Sequence, residues 1–185
     1  REVHAKLLAQ GAIYPCVCSR ADLAAAQSAP HEGDAGELEP RYPGTCRGRF
    51  KSYEEACAAA PAKRKPCWRL KTAPGAVEFH DLCHGPQRID VHATVGDFVI
   101  AKDFDVPAYQ LAVVADDIAM GVTEVVRGDD LIPSTARQIL LYGKLGVPLP
   151  RYGHAPLVVG PDGKRLAKRH GDARIHSLCE AGVSA

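Results

Sequence analysis

A chain of 185 residues, 46% hydrophobic and 24% charged, has the makeup of one globular domain, with room for a small subdomain and a real core. A net charge of +1 excludes a global pull toward nucleic acid or an anionic membrane, although basic residues cluster at Lys63-Arg64-Lys65 and from Lys164 to Arg174. No apolar stretch is long enough to span a bilayer, no signal-peptide pattern opens the sequence, and seven cysteines without one fit a reducing, cytoplasmic setting better than a disulfide framework.

Val3, Leu7 and Leu8 recur at helical spacing and Gly11 supplies a C-cap, so residues 1–10 read as a helix. That helix starts without an N-cap and from Arg rather than Met, so the chain is expected to be a fragment. Residues 12–18 read as extended. Ser19 caps a helix reaching about residue 27, and residues 28–45, rich in Pro, Gly and acidic groups, form a surface loop. Residues 52–60 form a short helix capped by Ser52 and closed by Pro61.

From Cys67 the pattern changes. Residues 68–71, 77–80, 89–92 and 98–100 alternate as strands do, with Gly or Pro between them. Residues 109–114 are nearly continuously apolar and are predicted as a strand covered on both faces. Val125-Val126-Arg127-Gly128-Asp129-Asp130 reads as a buried strand carrying polar residues to a sheet edge. Pro133, Ser134 and Thr135 then open an amphipathic helix that ends at Gly146. A second apolar run, residues 155–159, leads through Pro161-Asp162-Gly163 into the basic turn Gly163-Lys164-Arg165-Leu166-Ala167-Lys168-Arg169-His170. The fold class is α/β, with the second half of a nucleotide-binding sheet at the C-terminal end. The organisation expected is a helix and zinc-knuckle region over 1–66, an antiparallel-strand insertion over 67–108, and the nucleotide-binding half over 109–185.

Two strand ends presenting Arg, Asp, hydroxyls and Lys suit a phosphorylated ligand. Each residue also has a plainer role. Arg127 can pair with Asp129 or Asp130, residues 164–170 can be a solvated loop, Tyr109 can be core, and His154 can be a satisfied structural histidine. Cys16-Val17-Cys18 and Tyr42-Pro43-Gly44-Thr45-Cys46 offer three thiols to one metal ion. A structural zinc closes a tetrahedron, with Tyr42, His31 or water left as the fourth ligand. Cys57, Cys67, Cys83 and Cys179 are scattered and read as core or surface residues.

Tyr14-Pro15-Cys16-Val17-Cys18-Ser19-Arg20, Tyr42 to Arg47, Tyr109 to Asp117, Gly121 to Leu131, Ser134-Thr135, Arg137-Gln138 and His154-Ala155-Pro156-Leu157 together resemble the class I glutamyl-tRNA synthetase family. The nearer match is its short glutamyl-Q tRNA(Asp) branch, because few residues follow the basic turn. The resemblance implies a partial Rossmann-type class I catalytic domain and a ligase that activates L-glutamate with ATP and Mg2+. The glutamyl group would pass to queuosine in the anticodon of tRNA(Asp), and the protein would act as a monomer away from membranes. It also implies zinc held by Cys16, Cys18, Tyr42 and Cys46, and glutamate contacts from Tyr109 and Arg127. ATP contacts would come from Lys168, Arg165 and His154, with Lys168 stabilising charge on the phosphates.

The sequence departs from the family at Ala167, which lacks a hydroxyl, and at Arg165, which stands for a Lys. The first class I signature is not found in it. N-terminal truncation and an inactive isolated chain are therefore expected. The alternatives are a piece of a glutamyl-tRNA synthetase charging tRNA(Glu) and a non-catalytic zinc-containing RNA-binding module.

Overall fold

The structure, a computed structural model, describes residues 1–26, 41–61, 64–159 and 182. In chain order it contains α1 (Glu2–Ala9), β1 (Ile13–Cys16), α2 (Arg20–Ala26), α3 (Tyr53–Ala59), β2 (Cys67–Leu70), β3 (Val77–Asp81), β4 (Gly85–Ile89) and α4 (Val91–Thr94). There follow β5 (Phe98–Ala101), α5 (Tyr109–Met120), β6 (Glu124–Gly128), one 3-10 turn (Asp129–Leu131), α6 (Ile132–Leu145) and β7 (Arg151–Ala155). The start signals act as read. Ser52 Oγ accepts from the Glu55 N–H at 3.2 Å, and Ser19 Oγ accepts from the Asp22 N–H at 3.0 Å.

Two sheets carry the chemistry. β1, β2 and β5 form an antiparallel sheet in the order β1-β2-β5. The second sheet, ordered β4-β3-β7-β6, is mixed, with β3–β4 an antiparallel hairpin and β7 parallel to both β3 and β6. Strands of the 67–108 interval thus contribute to both sheets. Between the sheets and helices lies a core built on Leu7, Trp68, Leu70, Ile100, Leu111, Val114 and Leu141. Tyr53 stacks on Trp68 at 5.2 Å between ring centroids, and the His4 ring meets Trp68 edge-on at 4.9 Å. A separate cluster gathers Tyr14, Cys16, Tyr42 and Cys46.

Four elements differ from the sequence reading. Residues 109–114 are the start of helix α5, not a strand. Their apolar run is short enough to suit either form, and the deciding pattern extends past it: Leu111, Val114 and Ile118 recur at helical spacing and face the core. Gly121, at φ 67°, takes the left-handed cap that ends the helix. β6 is not buried; it is the edge strand of its sheet, with Val126 68% exposed. The second strand of the pair is Arg151–Ala155 and ends where the apolar run 155–159 begins. The strand expected over 89–92 stops at Ile89, because Asp90 accepts from the Ala93 N–H at 2.9 Å and starts α4 instead.

Candidate active site and metal centre

β6 and β7 run parallel, so their C-terminal ends lie side by side, with Arg127 opposite His154 and Gly128 opposite Ala155. Helix α6 crosses behind them and turns Thr135 and Gln138 toward Arg127. The Arg127 guanidinium donates from Nη2 to Thr135 Oγ1 at 2.6 Å and to Gln138 Oε1 at 2.8 Å, and from Nε to His154 Nε2 at 3.2 Å. Gln138 in turn donates to Gln110 Oε1 at 3.0 Å, and Gln110 donates to Ser134 Oγ at 3.1 Å. Arg127 pairs with neither Asp129 nor Asp130. Among the described residues its acceptors are all neutral, and Nη1 has none.

His154 is fully buried and sits with Nδ1 2.5 Å from Asp81 Oδ2. Asp81 Oδ1 accepts three backbone N–H groups, from Cys83 and His84 at 3.0 Å and from His154 at 3.2 Å. Burial alone would raise the Asp81 carboxyl, but the His154 hydrogen bond and these N–H groups hold it well below the usual carboxylate range. A carboxylate only accepts, so Nδ1 carries the imidazole proton and Nε2 presents its lone pair to the Arg127 Nε–H, with Thr135 Oγ1 3.0 Å away. The chain Asp81–His154–Arg127 therefore fixes the plane of the guanidinium.

Of the residues expected at this site, Arg127 and His154 are in contact. His154 is satisfied on both nitrogens, as the plainer reading held, and has no exposed atom with which to touch ATP. Tyr109 opens α5 one residue before Gln110 and is 52% exposed, so it is not core. Arg165, Lys168 and the rest of the basic turn lie outside the described residues, as do His31 and Cys179. Sequence reasoning missed Asp81, Gln110 and Gln138 as members of the network. The only available signal for Asp81 was a carboxylate ending an alternating strand.

The cysteines meet at the end of β1. The Cys16, Cys18 and Cys46 sulfurs all lie within 4.8 Å of one another, and Cys18 and Cys46 are 3.6 Å apart. Tyr42 Oη stands 3.4 Å from Cys16 Sγ and accepts from the Cys46 N–H at 2.8 Å. Sulfurs about 2.3 Å from a tetrahedral zinc lie roughly 3.8 Å from one another, so this donor set has the dimensions and chemistry that zinc needs. A hydrogen bond from the Cys67 thiol pulls the Cys16 thiol down to about 4, with the Tyr42 hydroxyl and Arg69 guanidinium adding to it against burial. Burial and the neighbouring Cys16 and Cys46 push Cys18 up to about 12.

Tyr42 is held from behind by its N–H bond to the Val95 carbonyl at 2.8 Å and by a bridge to Gly96. Gly96 has φ 73°, and a Cβ there would stand 2.3 Å from the Tyr42 backbone oxygen. Gly96→Ala is therefore expected to cost more than about 1 kcal/mol of stability and to displace Tyr42 from the thiols. Denaturant melts together with zinc stoichiometry check both effects.

The family described as tRNA synthetases class I (E and Q), catalytic domain, matches residues 1–183. The chain belongs to this family. Its mixed α/β fold is that of the class I tRNA synthetase catalytic domain. The glutamate-tRNA synthetase of Elizabethkingia anophelis superposes with a TM-score of 0.70 at 26% identity, covering 92% of this chain and 35% of that one. A glutamyl-Q tRNA(Asp) synthetase of Symbiobacterium thermophilum is 50% identical over 184 residues, covering 100% of this chain and 55% of that protein. One of Nitratidesulfovibrio vulgaris is 47% identical over 175 residues, covering 95% of this chain and 52% of that protein. A glutamate–tRNA ligase of Nitrosococcus oceani is 41% identical over 177 residues. The chain thus spans about half the length of the glutamyl-Q tRNA(Asp) synthetases it matches. No helix among the described residues is long and apolar enough to cross a membrane.

Proposed function

We propose that this chain is the part of a glutamate-activating ligase that holds the amino acid, with a structural zinc beside it. The observation that carries the reading is Arg127: a guanidinium at paired parallel strand ends, hydrogen-bonded among the described residues to three neutral acceptors and to no carboxylate. Such a group suits a ligand carboxylate, since the ligand then brings the missing negative charge. Tyr109, at the mouth of α5, completes the amino acid contact. Arg165 and Lys168 of the basic turn neutralise the phosphates of ATP, which enters with Mg2+. His154 acts on the ligand through Arg127.

In the reaction, a glutamate carboxylate oxygen attacks the α-phosphorus of ATP, a new P–O bond forms, and the bond to the β-phosphate breaks to release pyrophosphate. The glutamyl group of the adenylate then passes to an acceptor with release of AMP. The acceptor proposed is queuosine in the anticodon of tRNA(Asp), in line with relatives that are named glutamyl-Q tRNA(Asp) synthetases. The second reading, transfer to tRNA(Glu), has the Nitrosococcus oceani relative in its favour. The protein is proposed to work as a monomer in the cytoplasm. Cys16, Cys18, Cys46 and Tyr42 would hold the zinc, whose role is to tie the end of β1 to the 42–46 turn.

The test is glutamate-dependent ATP–pyrophosphate exchange. It is run on the chain alone and on the chain joined to the part of the Symbiobacterium thermophilum relative outside the match. Exchange is expected in the joined protein, and Arg127→Ala is expected to raise the glutamate requirement about 30- to 1000-fold, the loss of a charge-assisted carboxylate contact. Lys168→Ala is expected to slow exchange with little change in stability. Exchange with another amino acid in place of glutamate, or none in the joined protein, defeats the reading. Product analysis with tRNA(Asp) and tRNA(Glu) separates the two acceptors.

A further inference from the structure

Arg69, in the centre of β2, is 5% exposed, which is unusual for a residue whose charge cannot be removed at any physiological pH. Its guanidinium donates from Nη1 to the backbone carbonyl of Asp97 at 2.7 Å and from Nε to Cys16 Sγ at 3.2 Å. Its carbon lies 3.8 Å over the centroid of the Tyr42 ring. No carboxylate lies within ion-pairing distance of it among the described residues. The nearest candidate, Asp97, uses its carboxylate elsewhere. Oδ1 accepts from the Thr72 N–H at 2.7 Å and from the Thr72 hydroxyl at 3.0 Å, and pairs with Arg47 at 3.5 Å, while Oδ2 accepts from the Tyr14 hydroxyl at 2.6 Å.

A buried cation without a carboxylate partner is strongly unfavourable unless another anion faces it. Among the described residues, the hydrogen-bond and ring contacts of Arg69 other than the Asp97 carbonyl go to Cys16 and Tyr42, two of the four residues proposed above to hold zinc. Three thiolates and a phenolate around Zn2+ leave a formal charge of about −2. That excess negative charge also needs compensation in a site where Cys16, Tyr42 and Cys46 are buried and Cys18 is half-buried. The two imbalances are complementary, and the contacts are of the right kind. A guanidinium hydrogen-bonds a metal-bound thiolate through Nε, and its positive face stabilises an electron-rich phenolate ring more than a neutral phenol.

We propose that Arg69 is the built-in counter-cation of the cysteine–tyrosine metal centre, and that its charge over the ring is what allows Tyr42 to serve as a ligand. The proposal rests on the zinc reading given above. It assigns Arg69 a positioning and charge-balancing role and no contact with the metal.

Zinc affinity of the whole chain is measured by competition with a chromophoric chelator, and cobalt substitution reports the ligand field through its visible bands. Arg69→Met is expected to weaken zinc about 10- to 100-fold, the usual effect of removing a group that supports a ligand. Arg69→Lys, which keeps the charge, is expected to recover most of that loss. In the Tyr42→Phe background the Arg69→Met effect is expected to shrink, because the phenolate has gone. Circular dichroism checks folding. If Arg69→Met does not fold, Arg69→Gln against Arg69→Lys gives the same comparison of charge. Wild-type affinity in the folded neutral variant overturns the proposal. Equal losses in Arg69→Lys and the neutral variant also overturn it, since shape would then be the cause. A wild-type chain that binds no stoichiometric zinc removes the metal reading itself, and the counter-cation with it.

Discussion

Asp81→Asn is expected to lower the unfolding free energy by about 1–3 kcal/mol, the usual cost of leaving buried hydrogen-bonding groups unsatisfied when an ionised acceptor is removed. The physical reason lies in the two ends of the carboxylate. Oδ1 takes three backbone N–H groups and Oδ2 takes His154 Nδ1. An amide has only one oxygen. Turned one way, its NH2 faces the three N–H donors. Turned the other way, it faces Nδ1 and drives the imidazole proton to Nε2, where it meets the Arg127 N–H head on. Either outcome loosens Arg127. The pH dependence has a fixed sign. The folded-state value of Asp81 is depressed, so its contribution is complete above the ordinary aspartate value of about 3.9 and is lost as the pH falls toward the folded-state value. Urea midpoints between pH 3 and 7 should fall on the acid side in the wild type and vary less in the variant. Imidazole nitrogen shifts should show Nδ1 protonated in the wild type. A stability loss below about 1 kcal/mol with an unchanged tautomer would sink this account of the network.

Metal removal has the second large effect. A ligand present at about a thousand times its dissociation constant stabilises by about 4 kcal/mol, and each kcal/mol shifts the midpoint by about 2–4 °C in a chain of this size. Chelation of a zinc-loaded sample is therefore expected to lower the melting temperature by roughly 10 °C, with zinc addition restoring it. Cys46→Ser should behave as the chelated wild type, because Cys46 supplies one of the three clustered thiols. Cys57→Ser, at an exposed thiol outside the cluster, should leave both midpoint and zinc content unchanged. A chelator-insensitive midpoint would show that the thiols support the fold without a metal.

The readable parts of the fold were those with local causes. Ser19, Ser52 and Gly146 mark helix ends because capping depends on a few consecutive residues, and each marks an end as read. Helix α5 is hard to read because residues 109–114 are nearly continuously apolar, and only its later turns show which face is buried. β6 reads as buried because its valines are apolar, yet it lies at the end of the described strand order with Val126 68% exposed, and neither strand order nor what covers a sheet face is a local property.

The sequence alone determined the family, and it pointed to the cysteine cluster and to an arginine at a strand end, because these are recurrent residue patterns. Tertiary structure alone decided what surrounds them. Asp81 reaches His154 across 73 positions, and Arg69 reaches Cys16 across 53. The charge state and orientation of a buried group are set by the groups packed against it, and β-sheet pairing brings those from distant parts of the chain.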